Sequence, residues 1–339
     1  MIRFIFAALM FAASPAIAQN SPHPLVIAHR GASGERPEHT RAAYELAIDQ
    51  GADFIEPDLV MSRDGQLIVR HENEISGTTD VATRPEFADR RTTRTIDGIA
   101  TEGWFTEDFT LAELQTLRAR ERLPDLRPGN TVFVDEPILT FQQVIDIARA
   151  GSARTGRVIG VAPELKHPTY FTSLGLPMEP PFIEALTANA LMAADSPILI
   201  QCFEVETLRS LNEHTDAPLL QLMAGSGGPA DRPDLTYAAM AAPGGLAEIA
   251  TYADAIGVDA AMIVPRGETG TSSTPTPLIA DAHAAGLMVV AWTFRAEEQF
   301  LPVDYRGDLP GWLRRFYAMG IDAVFSDFPG VAVRARTPD

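Results

Sequence analysis

The sequence lacks the features that stabilise small proteins in place of a large core. Its 339 residues contain a single cysteine, Cys202, so no intramolecular disulfide can form. No pattern typical of a catalytic thiol surrounds Cys202, and we interpret it as a buried core residue. No internal repeat, coiled-coil pattern or low-complexity tail is present. Because 46% of the residues are hydrophobic, the chain is expected to fold around one large core.

Positive charge is also scarce. The formal net charge is −18 at pH 7, and no basic run or basic–aromatic alternation occurs along the chain. The usual electrostatic footprint of a nucleic-acid-binding protein is therefore missing. An acidic protein that handles an anion must use individual cations, for which Arg30 and Lys166 are candidates. We expect a small-molecule substrate and no nucleic-acid partner.

Long apolar runs are few, and the clearest lies at the N-terminus. Arg3 precedes the apolar run Phe4–Ala13, and a small-residue pattern ends at Ala18. This arrangement predicts a cleaved signal peptide over residues 1–18 and a periplasmic or secreted mature protein that begins near Gln19. The alternative is a buried N-terminal helix. The run is too short to span a bilayer comfortably, and no cysteine follows the cleavage point, so no stable membrane anchor is expected.

From residue 25 onward, strand-like apolar runs alternate with helical patterns. This alternation is typical of a parallel α/β sheet, and eight units predict a closed TIM-type (β/α)8 barrel. We expect one barrel domain over residues 19–339, with its active site at the C-terminal ends of the strands. The predicted strands are Leu25–Ala28, Phe54–Leu59, Val158–Leu165, Pro197–Phe203, Pro218–Met223, Gly257–Val264, Leu287–Thr293 and Ile321–Ser326.

Helical patterns, several of them closed by glycine, separate most of the strands. The first begins at an N-cap threonine, Thr40, and ends before Gly51. The second is expected to stop at Gly151. The predicted helices are Thr40–Gln50, Phe141–Ala150, Pro181–Ala193, Leu246–Asp254, Pro277–Ala285 and Gly311–Met319.

One further apolar run, Gln66–Val69, does not fit the barrel. Its link to the preceding strand is too short for a right-handed crossover, and Arg63-Asp64-Gly65 is typical of a hairpin turn. The run is therefore expected to return antiparallel and to carry His71 back toward the acidic residues of the second strand. The polar segment that follows, about residues 72–139, is predicted to be a long insertion on the active-site face. It is interpreted as a lid or substrate wall, or as a decorative loop.

Three acidic residues at strand ends form a candidate metal site. Glu56 and Asp58 are two residues apart on one strand, so their side chains share a face at a separation of about 7 Å. Two like charges on a buried face are unfavourable unless a cation lies between them. Glu164, at the end of the next predicted strand, converges on them in a barrel. The set predicts Mg²⁺ or Ca²⁺ with oxygen ligands.

Other strand-end residues complete the constellation. His29 and His71 are candidates for the general acid and base. Arg30 and Lys166 can hold an anionic group, and Phe203 or Trp292 offers an apolar wall. Each residue alone has an ordinary structural interpretation, such as an ion pair or a solvated face, but their common position at strand ends favours a functional site.

The remaining histidines do not share this convergence. His39, His167 and His283 are among them, and they are expected at the surface or behind the site.

A series of motifs is spread over nearly the whole chain. It consists of His29-Arg30-Gly31, Pro37-Glu38-x-Thr40, Glu56-x-Asp58, His71, Glu164-x-Lys166, Gln201-Cys202-Phe203, Trp292 and Phe325-Ser326-Asp327. Over about Pro24–Val333 it resembles the glycerophosphodiester phosphodiesterase family, and most closely the secreted periplasmic branch. Two positions depart from the family pattern: His39 replaces the commoner asparagine, and Glu72 replaces the usual aspartate after the second histidine.

The resemblance implies a set of roles. It implies a divalent cation held by Glu56, Asp58 and Glu164, with Ca²⁺ favoured over Mg²⁺. It implies acid–base work by His29 and His71. It also implies phosphate contacts from Arg30 and Lys166 and further substrate contacts from Gln201, Phe203 and Trp292.

The implied reaction is metal-dependent hydrolysis of glycerophosphodiesters to sn-glycerol 3-phosphate and an alcohol. The first nucleophile is either water or the glycerol 2-hydroxyl. Phospholipase-D-like or lyase activity on lysophospholipids is an alternative, as is a non-catalytic exported binding protein on the same barrel. The leaving alcohol is expected to point toward the insertion, where Trp104 and Phe105 form no aromatic cage for choline. We therefore expect little headgroup preference.

Overall fold

The computed structural model describes residues 23–336. The predicted signal peptide lies outside the described residues. Within this range the chain forms thirteen strands, numbered here in chain order. They are β1 Leu25–Ala28, β2 Phe54–Ile55, β3 Asp58–Met61, β4 Leu67–Val69, β5 Thr92–Ile96, β6 Ile99–Gly103, β7 Gly160–Val161, β8 Glu164–Leu165, β9 Ile200–Cys202, β10 Leu219–Met223, β11 Ala255–Asp259, β12 Met288–Phe294 and β13 Ala323–Ser326.

Parallel pairing closes these strands into a barrel. Strand β1 pairs with β2, and β2 with β7; β3 pairs with β8, and β8 with β9. From β9 the pairing continues in order through β10, β11, β12 and β13, and β13 pairs with β1. Strands β2 and β3 are two parts of the second barrel strand, and β7 and β8 are two parts of the third. The fold is therefore the predicted (β/α)8 barrel.

Prolines explain why two barrel strands are divided. Pro57 separates β2 from β3, and Pro163 separates β7 from β8. A proline has no N–H to donate to the ladder. Donation in the other direction continues, because the N–H groups of Ala162 and Glu164 bond the carbonyls of Ile55 and Pro57 at 3.0 and 2.9 Å. The two strands thus stay paired with single ladder bonds missing.

Helices surround the barrel. Within residues 23–336 the α-helices are Arg41–Asp49, Leu111–Leu114, Phe141–Thr155, Pro168–Ser173, Glu179–Ala188, Val205–Asn212, Tyr237–Met240, Pro243–Ile249, Ala260–Ile263, Leu278–Ala284, Leu309–Ala318 and Pro329–Ala335. Short 3₁₀ helices are Val81–Thr83, Pro85–Arg90, Thr106–Asp108, Pro128–Val132, Glu298–Phe300 and Val303–Tyr305. None of the helices in this part of the chain is long and apolar enough to cross a bilayer.

Several boundaries predicted from sequence were wrong. The helices expected over Pro181–Ala193 and Leu246–Asp254 are Glu179–Ala188 and Pro243–Ile249. Two further differences have a local cause. The strand expected over Gly257–Val264 ends at Asp259, because the Asp259 carboxylate accepts from the Ala261 N–H at 2.7 Å and begins a short helix. The helix expected to stop at Gly151 continues to Thr155 and is closed by Gly156 in the left-handed region. Gly151 instead permits close helix packing, since a Cβ there would lie 2.7 Å from Ile48 Cδ1.

The second-strand hairpin forms as predicted. Strand β4 pairs antiparallel with β3, and the Arg70 N–H donates to the Asp58 carbonyl at 3.0 Å, which brings His71 beside the second barrel strand. The insertion then runs to the helix Phe141–Thr155. It contains the antiparallel hairpin β5–β6, which turns at Asp97 and Gly98, both with positive φ as such two-residue turns require.

The apolar core has two layers. Alternate residues of β1 show the division, since Leu25 and Ile27 belong to the inner cluster and Val26 and Ala28 to the outer one. The inner cluster fills the barrel with side chains from several strands, such as Leu220 of β10. The outer cluster, between strands and helices, includes the buried Cys202, as predicted.

Candidate active site

A cavity of about 310 Å³ lies at the C-terminal ends of the barrel strands. All the site residues predicted from sequence except Asp58 line this main cavity, together with Leu222, Thr293, Arg295 and Phe325. The predicted residues on its wall are His29, Arg30, Glu56, His71, Glu164, Lys166, Gln201, Phe203 and Trp292. The topology thus brings together side chains that are far apart in the sequence.

Three carboxylates converge beside this cavity. One oxygen from each of Glu56, Asp58 and Glu164 lies within 4.8 Å of the other two, and all three residues are buried. Burial, and next the charge of Asp58, raises the pKa of Glu56 well above its usual range. Burial raises the pKa of Glu164 to about 8, although Lys166 lowers it. Despite burial, the neighbouring His71, the hydrogen bond from His39 and the charges of Lys166 and Arg30 hold the pKa of Asp58 well below its usual range. The three residues could hold a metal ion.

Arg30 holds two of these carboxylates in place. Its backbone N–H donates to Glu56 Oε2 at 2.6 Å, which its left-handed conformation at φ 59° allows. Its Nε lies 3.3 Å from Asp58 Oδ2, and its Nη1 donates to Glu38 Oε2 at 3.0 Å. The cation predicted to contact phosphate therefore also neutralises the acidic cluster.

His39 lies directly behind the metal-binding candidates. It is fully buried, its Nε2 donates to Asp58 Oδ2 at 2.9 Å, and its Nδ1 lies 2.9 Å from the Tyr44 hydroxyl. Of the two locations expected for this histidine, the one behind the site is therefore confirmed. His167 and His283 instead bond Asp97 and Asp322.

Gln201 is oriented by a carbonyl that the barrel ladder leaves unused. In a regular parallel ladder residue 57 would donate to the carbonyl of Ala162, but Pro57 cannot. The Gln201 amide donates to that carbonyl at 2.9 Å instead. Its nitrogen also lies 3.5 Å from Glu56 Oε1. The amide therefore lies against a carboxylate of the site.

His29 is held by a carboxylate from the last barrel strand. Its Nδ1 donates to Asp327 Oδ1 at 2.6 Å. Asp327 also accepts from Arg127 of the insertion at 2.5 Å and from Arg295 at 3.0 Å. These partners hold the pKa of Asp327 below its usual range despite its burial. With Nδ1 bonded to Asp327, Nε2 is the ring nitrogen available to a substrate.

His71 has a matching arrangement. Its Nδ1 donates to Glu72 Oε1 at 2.5 Å, and Arg122 of the insertion bonds Glu72 at 2.5 and 3.0 Å. Arg122 also bonds both carboxylate oxygens of Glu38 at 2.7 Å. Lys166 donates to His71 Nε2 at 3.2 Å and to Glu164 at 2.8 Å. Each histidine therefore donates to a carboxylate, and that carboxylate also accepts from an arginine of the insertion.

Burial keeps both imidazoles neutral near pH 7. Burial, and next the charge of Arg30, lowers the pKa of His29 to about 4. Burial and the charges of Arg30 and Lys166 lower the pKa of His71 to about 3. Neutral rings that donate from Nδ1 have Nε2 as a proton acceptor, and in His71 this nitrogen already accepts from Lys166.

Sequence reasoning missed the residues that support the histidines. Arg122 and Arg127 lie in a polar segment with no periodicity to mark them. Asp327 was noted as part of a motif, and its pairing with His29 spans 298 positions. The sequence offers one signal for the pairing of Asp327 with His29: both residues follow barrel strands, and strand ends converge at one face of a barrel.

The fold and the cavity define a (β/α)8-barrel enzyme with a carboxylate and histidine site at the barrel mouth. The model of the glycerophosphoryl diester phosphodiesterase family matches residues 29–331. An Arabidopsis thaliana protein named glycerophosphodiester phosphodiesterase GDPD6 is 37% identical over 91% of this chain and 84% of its own length. A Haemophilus influenzae glycerophosphodiester phosphodiesterase is 28% identical over 91% of this chain and 88% of its own.

A solved structure agrees on the fold. It is that of an Oleispira antarctica phosphodiesterase in complex with the product sn-glycerol-3-phosphate, with a TM-score of 0.60 and 22% identity over 92% of this chain and 96% of that one. The chain belongs to the glycerophosphoryl diester phosphodiesterase family.

Proposed function

We propose that the protein hydrolyses glycerophosphodiesters to sn-glycerol 3-phosphate and an alcohol, with a divalent cation at the acidic cluster and His29 and His71 as acid and base. The observation that carries the proposal is the main cavity, where these groups meet Arg30 and Lys166. Family membership supports the substrate class, as does the sn-glycerol-3-phosphate bound by the Oleispira antarctica protein.

The acidic cluster fits a hard divalent cation. Glu56, Asp58 and Glu164 offer three carboxylates within 4.8 Å of one another, the donor type that Ca²⁺ and Mg²⁺ prefer. Asp58 Oδ1 is buried and has no hydrogen-bond partner among the described residues. A bound cation would satisfy that oxygen, neutralise charge on the phosphoryl oxygens and polarise the phosphorus–oxygen bonds. Our proposal keeps Ca²⁺ ahead of Mg²⁺.

The protein's own groups would perform the rest of the reaction. Arg30 and Lys166 bind the phosphoryl oxygens and stabilise the negative charge that grows on them. One histidine accepts a proton from the attacking oxygen through Nε2 as the new P–O bond forms. The other first takes up a proton at Nε2, which the negative charge of a bound phosphodiester favours, and then donates that proton to the leaving oxygen as its P–O bond breaks. The attacking oxygen belongs to water, or to the glycerol 2-hydroxyl in a first step that water completes.

Release of sn-glycerol 3-phosphate from glycerophosphocholine tests the proposal. The rate is measured as purified, after exhaustive chelation, and after readdition of Ca²⁺ or Mg²⁺. We expect the rate to fall to background on chelation and to return with the cation. Full activity in protein that elemental analysis finds free of metal would remove the cation from the proposal. If no sn-glycerol 3-phosphate is released with any cation, the proposed hydrolase activity is wrong.

Export is a separate part of the proposal. Its support is the pattern of residues 1–18, which lie outside the described residues. Expression of the full chain in a Gram-negative host should give a periplasmic protein whose N-terminus lies near Gln19. Cytoplasmic protein that keeps Met1 would contradict this.

A further inference from the structure

A second chamber, of about 320 Å³, opens beside the main cavity. Glu164, Lys166 and Phe203 line both spaces, so the two are separated only by groups that belong to the site. The second chamber adds Glu204, Tyr237 and other residues to its wall. None of the proposed catalytic steps uses this chamber, and its lining differs in charge from that of the main cavity.

Glu204 places a buried carboxylate in the wall of this chamber. The residue is only 3% exposed. Its Oε2 accepts from the Thr169 N–H at 3.0 Å and from the Thr169 hydroxyl at 2.5 Å. Its Oε1 is buried and has no hydrogen-bond partner within residues 23–336. An ionised carboxylate with one unpaired buried oxygen is unfavourable unless a ligand completes it.

The basic side chains nearby are already paired with other acids. Lys166 bonds Glu164 at 2.8 Å, and His167 bonds Asp97 of the insertion hairpin at 2.7 Å. No ion pair reaches Glu204 from any other residue that the structure describes. Burial raises the pKa of Glu204 to about 7, and the charges of further acidic residues add to this effect. The chamber therefore has an acidic group that lacks a cationic partner.

Aromatic rings form another part of the wall. Phe203 and Tyr237 pack edge to face, with ring centroids 6.1 Å apart, and both line the chamber. Ring faces attract ammonium groups, and a buried carboxylate beside them strengthens that preference. Lys166 Nζ already lies over the Phe203 ring, 5.7 Å from its centroid, which leaves Tyr237 as the ring for a ligand. An aromatic wall next to an unpaired carboxylate is thus complementary to an organic cation.

The position of the chamber suits one arm of a phosphodiester. A bound phosphoryl group between Arg30 and Lys166 has two ester arms, and each needs space. A third space, of about 220 Å³, adjoins the main cavity at Trp292 and contains Arg266 and Arg295. One carboxylate, Asp259, also lines it, so its charged side chains sum to a net positive charge. That charge is unfavourable for a cation, whereas Glu204 favours one.

We propose that the second chamber binds the leaving alcohol and selects alcohols that have a positively charged ammonium group, such as choline and ethanolamine. This inference rests on the proposed hydrolase function. It differs from the expectation of little headgroup preference, which followed from a polar insertion without an aromatic cage. Tyr237 begins the helix Tyr237–Met240 and Glu204 precedes the helix Val205–Asn212, both outside the insertion.

Substrate selectivity tests the chamber. The ratio compared is kcat/KM for glycerophosphocholine or glycerophosphoethanolamine divided by kcat/KM for glycerophosphoglycerol, whose leaving alcohol is neutral. We expect a ratio of about tenfold or more in the unchanged protein, the size of one cation–aromatic and carboxylate contact. Glu204→Gln keeps an acceptor for Thr169 but removes the charge, so the ratio should fall to about threefold or less.

A matched control and a second variant accompany this measurement. Glu206→Gln removes a carboxylate two residues away that pairs with Arg232 at the surface, and the ratio should stay unchanged. Tyr237→Leu removes the ring and should lower the ratio for glycerophosphocholine. Circular dichroism and thermal melting confirm that each variant is folded.

Direct binding separates this inference from the function on which it rests. Choline should bind the unchanged protein more tightly than its uncharged isostere dimethylbutanol in saturation-transfer NMR, and Glu204→Gln should remove the difference. Equal binding of the two alcohols, or a selectivity ratio that Glu204→Gln leaves unchanged, would overturn the inference. If no glycerophosphodiester is hydrolysed, the function fails and choline binding alone decides whether the chamber accepts a cation.

Discussion

Arg127 donates to the Asp327 carboxylate at 2.5 Å and joins the insertion to the end of β13. Asp327 in turn holds His29, and Arg122 supports His71 through Glu72 in the same way. None of the insertion residues that the structure describes lines the main cavity. The insertion therefore influences the proposed chemistry through the orientation of the two imidazoles. Arg122 and Arg127 are positioning residues.

Replacement of Arg127 should lower turnover more than substrate affinity. Arg127→Gln leaves Asp327 with fewer partners and lets His29 move, which is expected to lower kcat by about 10- to 100-fold. KM should stay within about twofold, since Arg127 does not line the main cavity. Steady-state kinetics measures the split, and Arg127→Lys should recover part of kcat. As a control, Arg91→Gln changes an exposed insertion arginine and should have no effect. An unchanged kcat in Arg127→Gln would contradict the positioning role.

Removal of either histidine should abolish most activity and spare the fold. His29→Ala and His71→Ala are each expected to lower kcat at least about 100-fold, the low end for losing a general acid or base. The carboxylates left behind remain paired, Asp327 with Arg127 and Glu72 with Arg122, so the melting temperature should change little. A folded variant that keeps most of its activity would exclude that histidine from the reaction.

The residue at position 39 should tolerate asparagine but not alanine. His39 has a left-handed backbone, with φ 59°, which asparagine adopts more readily than most residues. An asparagine amide can also donate to Asp58, whereas His39→Ala leaves that buried carboxylate oxygen with only the longer contact to Arg30 Nε at 3.3 Å. We expect His39→Ala to lower the free energy of unfolding by about 2 kcal/mol and His39→Asn by about 1 kcal/mol or less. Urea unfolding of both variants decides this, and equal losses would count against the hydrogen-bond explanation.

His283 should stabilise the protein more at acidic pH. Its Nε2 lies 2.8 Å from Asp322 Oδ2, and this contact raises the pKa of His283 above its usual 6.5. A raised pKa in the folded state means that the contribution is complete below the unfolded pKa and disappears as pH rises through the folded pKa. Because the side chain is 41% exposed, the effect should be only a few tenths of a kcal/mol. His283→Gln should therefore lower the free energy of unfolding more at about pH 5.5 than at about pH 8, as measured by urea unfolding. An equal loss at both values would show that the pair is too screened to matter.

The barrel and the main cavity were predictable because strand-end chemistry follows a regular pattern. The alternation of strands and helices determined the fold class, and residues such as Glu56 and Glu164 were marked by polar positions at the ends of apolar runs. The hairpin that carries His71 followed from a link too short for a crossover. These features depend on local sequence and on the symmetry of the barrel.

Long-range support was not predictable by the same means. Arg127 meets Asp327 across 200 positions, and nothing in the local sequence distinguishes it from surface arginines of the insertion. The predicted end of a helix was also wrong where tertiary packing outweighed the tendency of glycine to end helices. Gly151 was expected to end a helix, but close contact with Ile48 makes glycine the residue that fits inside it. Such positions are set by the partner that approaches, and the partner is known only once the chain has folded.

The single cysteine has a practical consequence for following the insertion in solution. Cys202 is fully buried, and burial raises the pKa of its thiol well above the usual range, so it should not react with thiol reagents in the folded protein. The unchanged protein should therefore take up no thiol-reactive label. Ile99, beside the tip of the β5–β6 hairpin, is 68% exposed. A fluorophore or spin label attached through Ile99→Cys would be the only probe on the molecule, and its signal would report directly whether the hairpin moves when substrate binds.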